Sequence, residues 1–170
     1  METIKIFPYD EKYKVLYKKY ETLIKPFAAS VEFIGSASAK LSGKKEIDIL
    51  VIAKPNQTLN ACMDACAAIG FAKGPIDGGE GYMKAYVEGI AIELHILPPN
   101  HYRAESYYKV LAKLHQEEHA KNYEAMKWAH NGKPMATYKL AKTAFFSSLF
   151  PKVTKKRRKS RRRGFTRDHK

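Results

Sequence analysis

Apolar positions in this chain alternate between two spacings. Between residues 10 and 25, Tyr13, Leu16, Tyr17, Tyr20, Leu23 and Ile24 recur at intervals of three and four, which predicts an amphipathic helix. Asp10 suits its N-cap and Pro26 ends it. Residues 31–34 predict a short strand running into Gly35. Residues 47–53 (Ile-Asp-Ile-Leu-Val-Ile-Ala) form a near-continuous apolar run of strand length, expected inside its sheet rather than at an edge. Residues 58–69 predict a helix stopped by Gly70, and Gly74-Pro75 with Gly78-Gly79 mark a loop. Residues 82–87 and 90–97 predict a hairpin turning at Glu88-Gly89. Pro98-Pro99 ends the sheet region. Segments 103–114, 117–130 and 135–149 then show helical spacing, with Asn131-Gly132-Lys133-Pro134 between the last two. The expected fold class is α/β (α+β), a small mixed sheet with flanking helices and a helical C-terminal part.

Composition adjusts this outline in two places. The chain has 170 residues, of which 45% are apolar, enough for one domain with a core. No stretch approaches the roughly 20 apolar residues of a membrane span, and the N-terminus has no signal-peptide pattern. Cys62 and Cys66, the only cysteines, are too few for a zinc site and read as reduced, buried side chains of a cytoplasmic protein. The formal charge of +14 is uneven, because 11 of the 31 Lys and Arg fall after Pro151. The expected organisation is a domain over 1–151 and a basic, low-hydrophobicity tail over 152–170.

The chemistry concentrates where a Gly35-Ser36 bend precedes Glu46-Ile47-Asp48. In a strand, residues two apart share a face, so Glu46 and Asp48 project together. On residues 90–97, Glu93 and His95 share a face in the same way. A carboxylate inside an apolar strand is costly unless something pairs with it. Mg²⁺ is one such partner, since it takes one or two carboxylates along with substrate phosphates. Each acid alone has an ordinary structural explanation. Asp48 could pair with Lys40, Lys44 or Lys45, Glu46 could lie at a solvated strand end, and Glu93 could face water on an open sheet. The combination with Gly-Ser favours a site in which Asp48, Glu46 and Glu93 are both catalytic and metal-binding. His95 is either a ligand contact, a donor to a carboxylate or a core histidine. Tyr82, Tyr86, Tyr107 and Tyr108 are candidates for stacking on a base.

A Gly-Ser bend followed about ten residues later by acid-hydrophobic-acid-hydrophobic resembles the signature of the nucleotidyltransferase superfamily. Over roughly residues 5–148 the chain resembles its GrpB branch. Phe7-Pro8-Tyr9-Asp10 is similar to that family's opening, and Ile34-Gly35-Ser36-Ala37-Ser38 with Gly43-Lys44-Lys45 and Ile47-Asp48-Ile49-Leu50-Val51 to its central motif. Glu93-Leu94-His95-Ile96 resembles its His-Leu-His strand. Tyr123-x3-Lys127 and Tyr138-x3-Lys142-x3-Phe146 resemble its C-terminal helices. Three departures stand out: Leu50 occupies the slot of a second acid, Glu93 replaces the first histidine, and Lys40-Leu41-Ser42-Gly43 replaces a Pro-Gly turn.

The resemblance implies a nucleotidyltransferase-like fold that binds a nucleoside triphosphate with Mg²⁺. Its further implication is transfer of a nucleotidyl group to an acceptor the sequence does not identify. Gly35, Ser36, Lys44, Lys45, His95, Lys127 and Lys142 are the expected nucleotide contacts. The alternative is a non-catalytic nucleotide- or RNA-binding module of the same fold. Some relatives are fused to dephospho-CoA kinase, which also makes an accessory role in coenzyme A biosynthesis an expectation of the family. Independently of the fold, Lys155, Lys156, Arg157, Arg158, Lys159, Arg161, Arg162 and Arg163 form a run expected to bind RNA or another polyanion through phosphate neutralisation.

Overall fold

The computed structural model describes residues 1–151; residues 152–170, with the basic run named above, lie outside the described part. Helix α1 (Lys12–Ile24) is followed by a 3-10 turn (Lys25–Phe27), strand β1 (Ser30–Ile34), a one-turn helix α2 (Gly35–Ser38), strand β2 (Glu46–Ile52) and helix α3 (Leu59–Ala68). Strands β3 (Ala72–Asp77), β4 (Glu80–Val87) and β5 (Ile90–Leu97) complete the sheet. Helices α4 (Tyr102–Leu114), α5 (Glu117–Ala129) and α6 (Met135–Leu149) follow. The five strands lie in the order β1-β2-β5-β4-β3. Only β2 and β5 run parallel; the other neighbours are antiparallel. The expected mixed α/β class is observed.

Period-two alternation divides the sheet into two unlike faces. Ile47, Ile49 and Val51 of β2 and Ile92, Leu94 and Ile96 of β5 are fully buried against Tyr13, Tyr20 and Ile24 of α1 and Cys62, Met63 and Cys66 of α3. Burying each such aliphatic side chain contributes roughly 1.5–3 kcal/mol before entropy is counted. Both cysteines are free and buried, as expected. On the opposite face only one end is apolar. Leu50 and Leu97 pack with Ile34 beneath Ala104, Tyr107 and Leu111 of α4. The other end of that face carries the polar residues Glu46, Asp48, Glu93 and His95.

Local signals explain some element ends. Glu11, not Asp10, holds the N-cap position of α1 and makes no side-chain cap bond, while the Asp10 carboxylate one residue earlier accepts from the Lys12 backbone N–H at 2.9 Å. Thr58 accepts from the Ala61 N–H at 3.1 Å at the start of α3. Two elements were not expected. The Gly35-Ser36 bend opens a helical turn rather than standing alone. The segment expected as a loop at Gly74-Pro75 is instead edge strand β3, whose pairing to β4 shifts register between Lys73 and Ile76. An exposed edge tolerates Pro75, whose missing N–H would break an interior ladder.

The N-terminal segment ties the sheet to the C-terminal helices. Phe7 and Gly43 exchange backbone hydrogen bonds of 2.8 and 3.0 Å, while Ile4 pairs with Gly132 and Lys133 at 2.8 and 2.9 Å. Asn131 Oδ1 accepts from the Ile6 N–H at 3.0 Å. From the helical side, Glu124 of α5 accepts from the Ser42 N–H at 2.9 Å. The loop before β2 is thus held directly against α5.

Candidate functional site

A cavity of about 500 Å³ opens between the polar end of the sheet and helices α4, α5 and α6. Asp48 and Glu93 are register partners on the two parallel strands. His95 lies two residues beyond Glu93, and Glu46 two before Asp48. One ligand-type atom from each of Asp48, Glu93 and His95 lies within 4.8 Å of the others. That group leaves out Glu46, whose carboxylate pairs with Lys44 at 3.2 Å. Glu93 pairs with Lys84 of β4 at 2.9 Å.

His95 joins two carboxylates. Its Nε2 lies 3.0 Å from Asp48 Oδ1. Its Nδ1 lies 3.2 Å from the Tyr107 hydroxyl and 3.7 Å from Glu80 Oε2. The Tyr107 hydroxyl donates to Glu80, 2.8 and 2.9 Å from its two oxygens, so that hydroxyl can only accept from His95. Both ring nitrogens therefore face acceptors, which suits the doubly protonated ring. Burial pulls the His95 pKa down, but the hydrogen bonds and charges of Asp48 and Glu80 outweigh it and raise it to about 9. Burial pushes Asp48 up, but the His95 bond and charge, with help from Lys142, hold it below its ordinary value. Glu46 moves the other way: burial, then the Asp48 charge, raise it against the pull of Lys44.

Glu80 was absent from the sequence expectations, yet it is fully buried in the cavity wall. Burial raises its pKa; the bonds from His95, Tyr82 and Tyr107 more than reverse this. It follows directly on the Gly78-Gly79 turn at the first position of β4, and nothing local announces that Tyr107 will meet it.

The opposite wall is cationic. Lys44, Lys127 and Lys142 all line the cavity. Lys127 is 3% exposed, donates to Ser36 Oγ, and sits 4.4 Å over the Tyr123 ring. Among the described residues no carboxylate lies within ion-pair distance of it. Burial, then the charge of Lys142, pull its pKa down to about 7. Lys45 does not join this wall; its ammonium stands 4.6 Å over the Phe7 ring. Tyr82 and Tyr107 line the cavity, whereas Tyr86 and Tyr108 are exposed outside it.

Two glycines permit these approaches. Gly35 has φ +74°, and a Cβ there would lie 2.7 Å from Asp48 Oδ2. A Cβ on Gly43 would lie 2.9 Å from Lys127 Nζ. Asp48, Glu46, Gly35, Ser36, Lys44, His95, Lys127 and Lys142 therefore line one cleft, with Glu46 outside the three-residue ligand group; Glu93 sits beside Asp48 and His95 but does not line the cleft, and neither does Lys45.

The fold and cleft define a small α/β protein with a mixed five-stranded sheet and an acidic floor facing buried lysine. The family described as GrpB protein matches residues 3–152, and the chain belongs to this family. Among solved structures, the conserved protein GrpB from Enterococcus faecalis is 21% identical, with a TM-score of 0.64 over 85% of this chain and 96% of that one. A cytoplasmic RNA terminal U-transferase is 15% identical, with a TM-score of 0.48 over 72% of this chain and 37% of that one. No curated protein sequence matches the chain significantly. Among the described residues, no helix is long and apolar enough to cross a membrane.

Proposed function

We propose that the cleft binds a nucleoside triphosphate together with a divalent cation. The observation that carries this reading is Lys127, a nearly fully buried ammonium with no carboxylate partner among the described residues, facing the cavity. A buried, unpaired charge is costly. A phosphate in the cleft offsets that cost, and Lys142 and Lys44 add to the attraction. Ser36 supplies a hydroxyl beside Lys127, and Gly35 lets an anion approach the backbone closely. The donor set on the floor fits a cation: Asp48, Glu93 and His95 would hold it. Bound there, it would neutralise phosphate charge next to the reacting centre.

Transfer of the nucleotidyl group is the fuller form of the same reading. The acceptor's hydroxyl oxygen bonds to the α-phosphorus, the bond from that phosphorus to the pyrophosphate oxygen breaks, and the hydroxyl proton passes to a carboxylate. Glu46 is the group for that proton, because its raised pKa places it nearer neutrality than Asp48. A specific observation supports binding without transfer as the second reading. Leu50, in the slot of the family's second acid, is fully buried beneath α4, so the cleft has one fewer carboxylate than the motif supplies.

Calorimetry with ATP, CTP, GTP and UTP, with and without Mg²⁺, tests the binding claim on wild type, Lys127→Met and Asp48→Asn. Wild type is expected to bind at least one nucleotide, Lys127→Met to lose metal-free affinity, and Asp48→Asn to lose the metal-dependent gain. A wild type that binds none of the four refutes the reading. Release of pyrophosphate in the presence of a total RNA or metabolite extract separates transfer from binding alone. The basic run over 152–170 is proposed to bind RNA independently. Deleting it should weaken RNA binding and flatten its salt dependence, and unchanged binding would exclude that role.

A further inference from the structure

We infer that the cation taken by this cleft is a first-row transition-metal ion rather than Mg²⁺, with His95 as the selecting ligand and Glu80 as the residue that positions it. The inference rests on the cation-binding reading above but concerns which ion is chosen and why.

Three observations support it. First, the group that lies within ligand distance is two carboxylates and an imidazole, Asp48, Glu93 and His95, not a set of carboxylates alone. Mg²⁺ favours oxygen ligands and retains its waters, whereas imidazole suits Fe, Ni, Cu and Zn; Mn²⁺, the weakest-bound of the first-row series and itself inclined to oxygen, is the stringent spectroscopic probe of the imidazole's contribution. Second, Asp48 Oδ1 and His95 Nε2 lie 3.0 Å apart. Two donors at a right angle on an ion with bonds of about 2.1 Å stand about 3 Å apart. Third, the far side of the ring is fixed. Nδ1 faces the Tyr107 hydroxyl at 3.2 Å and Glu80 at 3.7 Å, and Glu80 is a fully buried carboxylate held by the same tyrosine. Metal-ligating histidines almost always give their other ring nitrogen to a carboxylate, a backbone carbonyl or water. The Tyr82 ring, edge-on at 5.6 Å, packs against another side of the imidazole. The ring is thereby oriented with Nε2 toward Asp48, beside Glu93, before any ion arrives, and an ion bound there displaces the Nε2 proton while Nδ1–H stays on Tyr107 and Glu80.

The same hydrogen-bonded array could hold His95 for purely structural reasons, and the test includes that outcome. The full chain, free of nucleotide, is titrated with MnCl₂ and followed by the loss of the free-ion electron paramagnetic resonance signal. MgCl₂ competition is measured in parallel, and pulsed spectra are recorded for ¹⁴N coupling to bound Mn²⁺. The expected result is Mn²⁺ binding at least tenfold tighter than Mg²⁺, with coupling to one imidazole nitrogen. His95→Gln should remove the coupling and weaken Mn²⁺ at least tenfold. Glu80→Gln should keep the coupling and weaken Mn²⁺ by roughly 10–100-fold, the usual effect of losing such an outer partner. Tyr107→Phe, which preserves volume, should give a smaller loss in the same direction.

Bound Mn²⁺ without nitrogen coupling, equal affinity for Mg²⁺, or no Mn²⁺ binding by wild type would each overturn the inference. The wild-type spectra decide this even if a variant fails to fold. Nucleotide binding with Mg²⁺ and no nitrogen coupling would sink this inference alone. A nitrogen-coupled Mn²⁺ site in a protein that binds no nucleotide would sink the nucleotide reading alone.

Discussion

Replacing Lys127 with methionine is expected to stabilise the free protein while removing its affinity for phosphates. Lys127 has a folded-state pKa of about 7 against 10.5 for a free lysine. The unfolded chain therefore holds more protons between pH 7 and 10.5, and stability rises with pH across that window. At 1.36 kcal/mol per unit, a gap of about 3.5 units corresponds to a penalty of ~5 kcal/mol below pH 7. The side chain is only 3% exposed, so solvent screening takes little from that figure. Methionine keeps the unbranched stem against Tyr123 but loses the bond to Ser36, which costs about 1 kcal/mol. The net gain is on the order of 2 to 4 kcal/mol at pH 6. For a domain of this size that is a melting-temperature rise of roughly 5 to 15 °C. The assay is thermal denaturation of both proteins at pH 6 and pH 10, with and without inorganic triphosphate. The advantage of Lys127→Met should be large at pH 6 and small at pH 10. Triphosphate should raise the melting temperature of wild type but not of the variant. If the variant melts below wild type at pH 6 and the gap does not change with pH, the lysine is already satisfied in the free protein and the anion argument fails.

Gly35→Ala should destabilise by about 1–2 kcal/mol from its left-handed backbone alone. It should also displace Asp48, whose Oδ2 would lie 2.7 Å from the new Cβ, so calorimetry should show weaker metal-dependent nucleotide binding; unchanged affinity would show that Asp48 needs no such clearance. The His95 ring should titrate near pH 9 by NMR, and Asp48→Asn should bring that midpoint down. Because this pKa lies above the free value of 6.5, the stability it contributes is complete below pH 6.5 and lost as the pH climbs through 9. An ordinary midpoint in wild type would contradict the Asp48–His95–Glu80 array. Thr58→Ala should cost about 1 kcal/mol in chemical denaturation through its lost cap and leave ligand binding untouched, since Thr58 is remote from the cleft.

What could be read from the sequence follows from the range of each signal. Period-two alternation placed Glu46 with Asp48 and Glu93 with His95 on shared faces, and the Glu88-Gly89 turn set the β4–β5 hairpin. Those are local facts. That β5 rather than another strand lies parallel to β2, with Glu93 opposite Asp48, depends on a crossover that no short pattern encodes. Lys127 and Lys45 looked alike in sequence. They differ because the N-terminal segment binds both Gly43 and the turn after α5, which carries one lysine into the cleft and leaves the other stacked on Phe7. Glu80 was illegible because it follows directly on the Gly78-Gly79 turn and its partner Tyr107 lies 27 residues away. Strand β3 was hidden by Gly74-Pro75, which is tolerated only because the strand is an exposed edge.

Leu50 shows how one residue divides the working face of the sheet. It shares that face with Glu46 and Asp48 and lies opposite His95, yet it is fully buried under Ala104, Tyr107 and Leu111. An acid there would be enclosed by the apolar side chains of α4 at a cost of several kcal/mol unless something paired with it. With leucine, α4 closes firmly over that end, and Tyr107 is delivered from the same helix onto Glu80 and His95. The departure from the family motif and the orientation of His95 are thus one arrangement: the apolar contact that removes a carboxylate from the row also places the tyrosine that fixes the imidazole. Leu50→Asp should for that reason do more than add a potential ligand. It should loosen α4, release Tyr107 from Glu80, and lower the His95 midpoint along with overall stability. A Leu50→Asp protein that keeps the wild-type His95 midpoint and stability would show the two features to be independent.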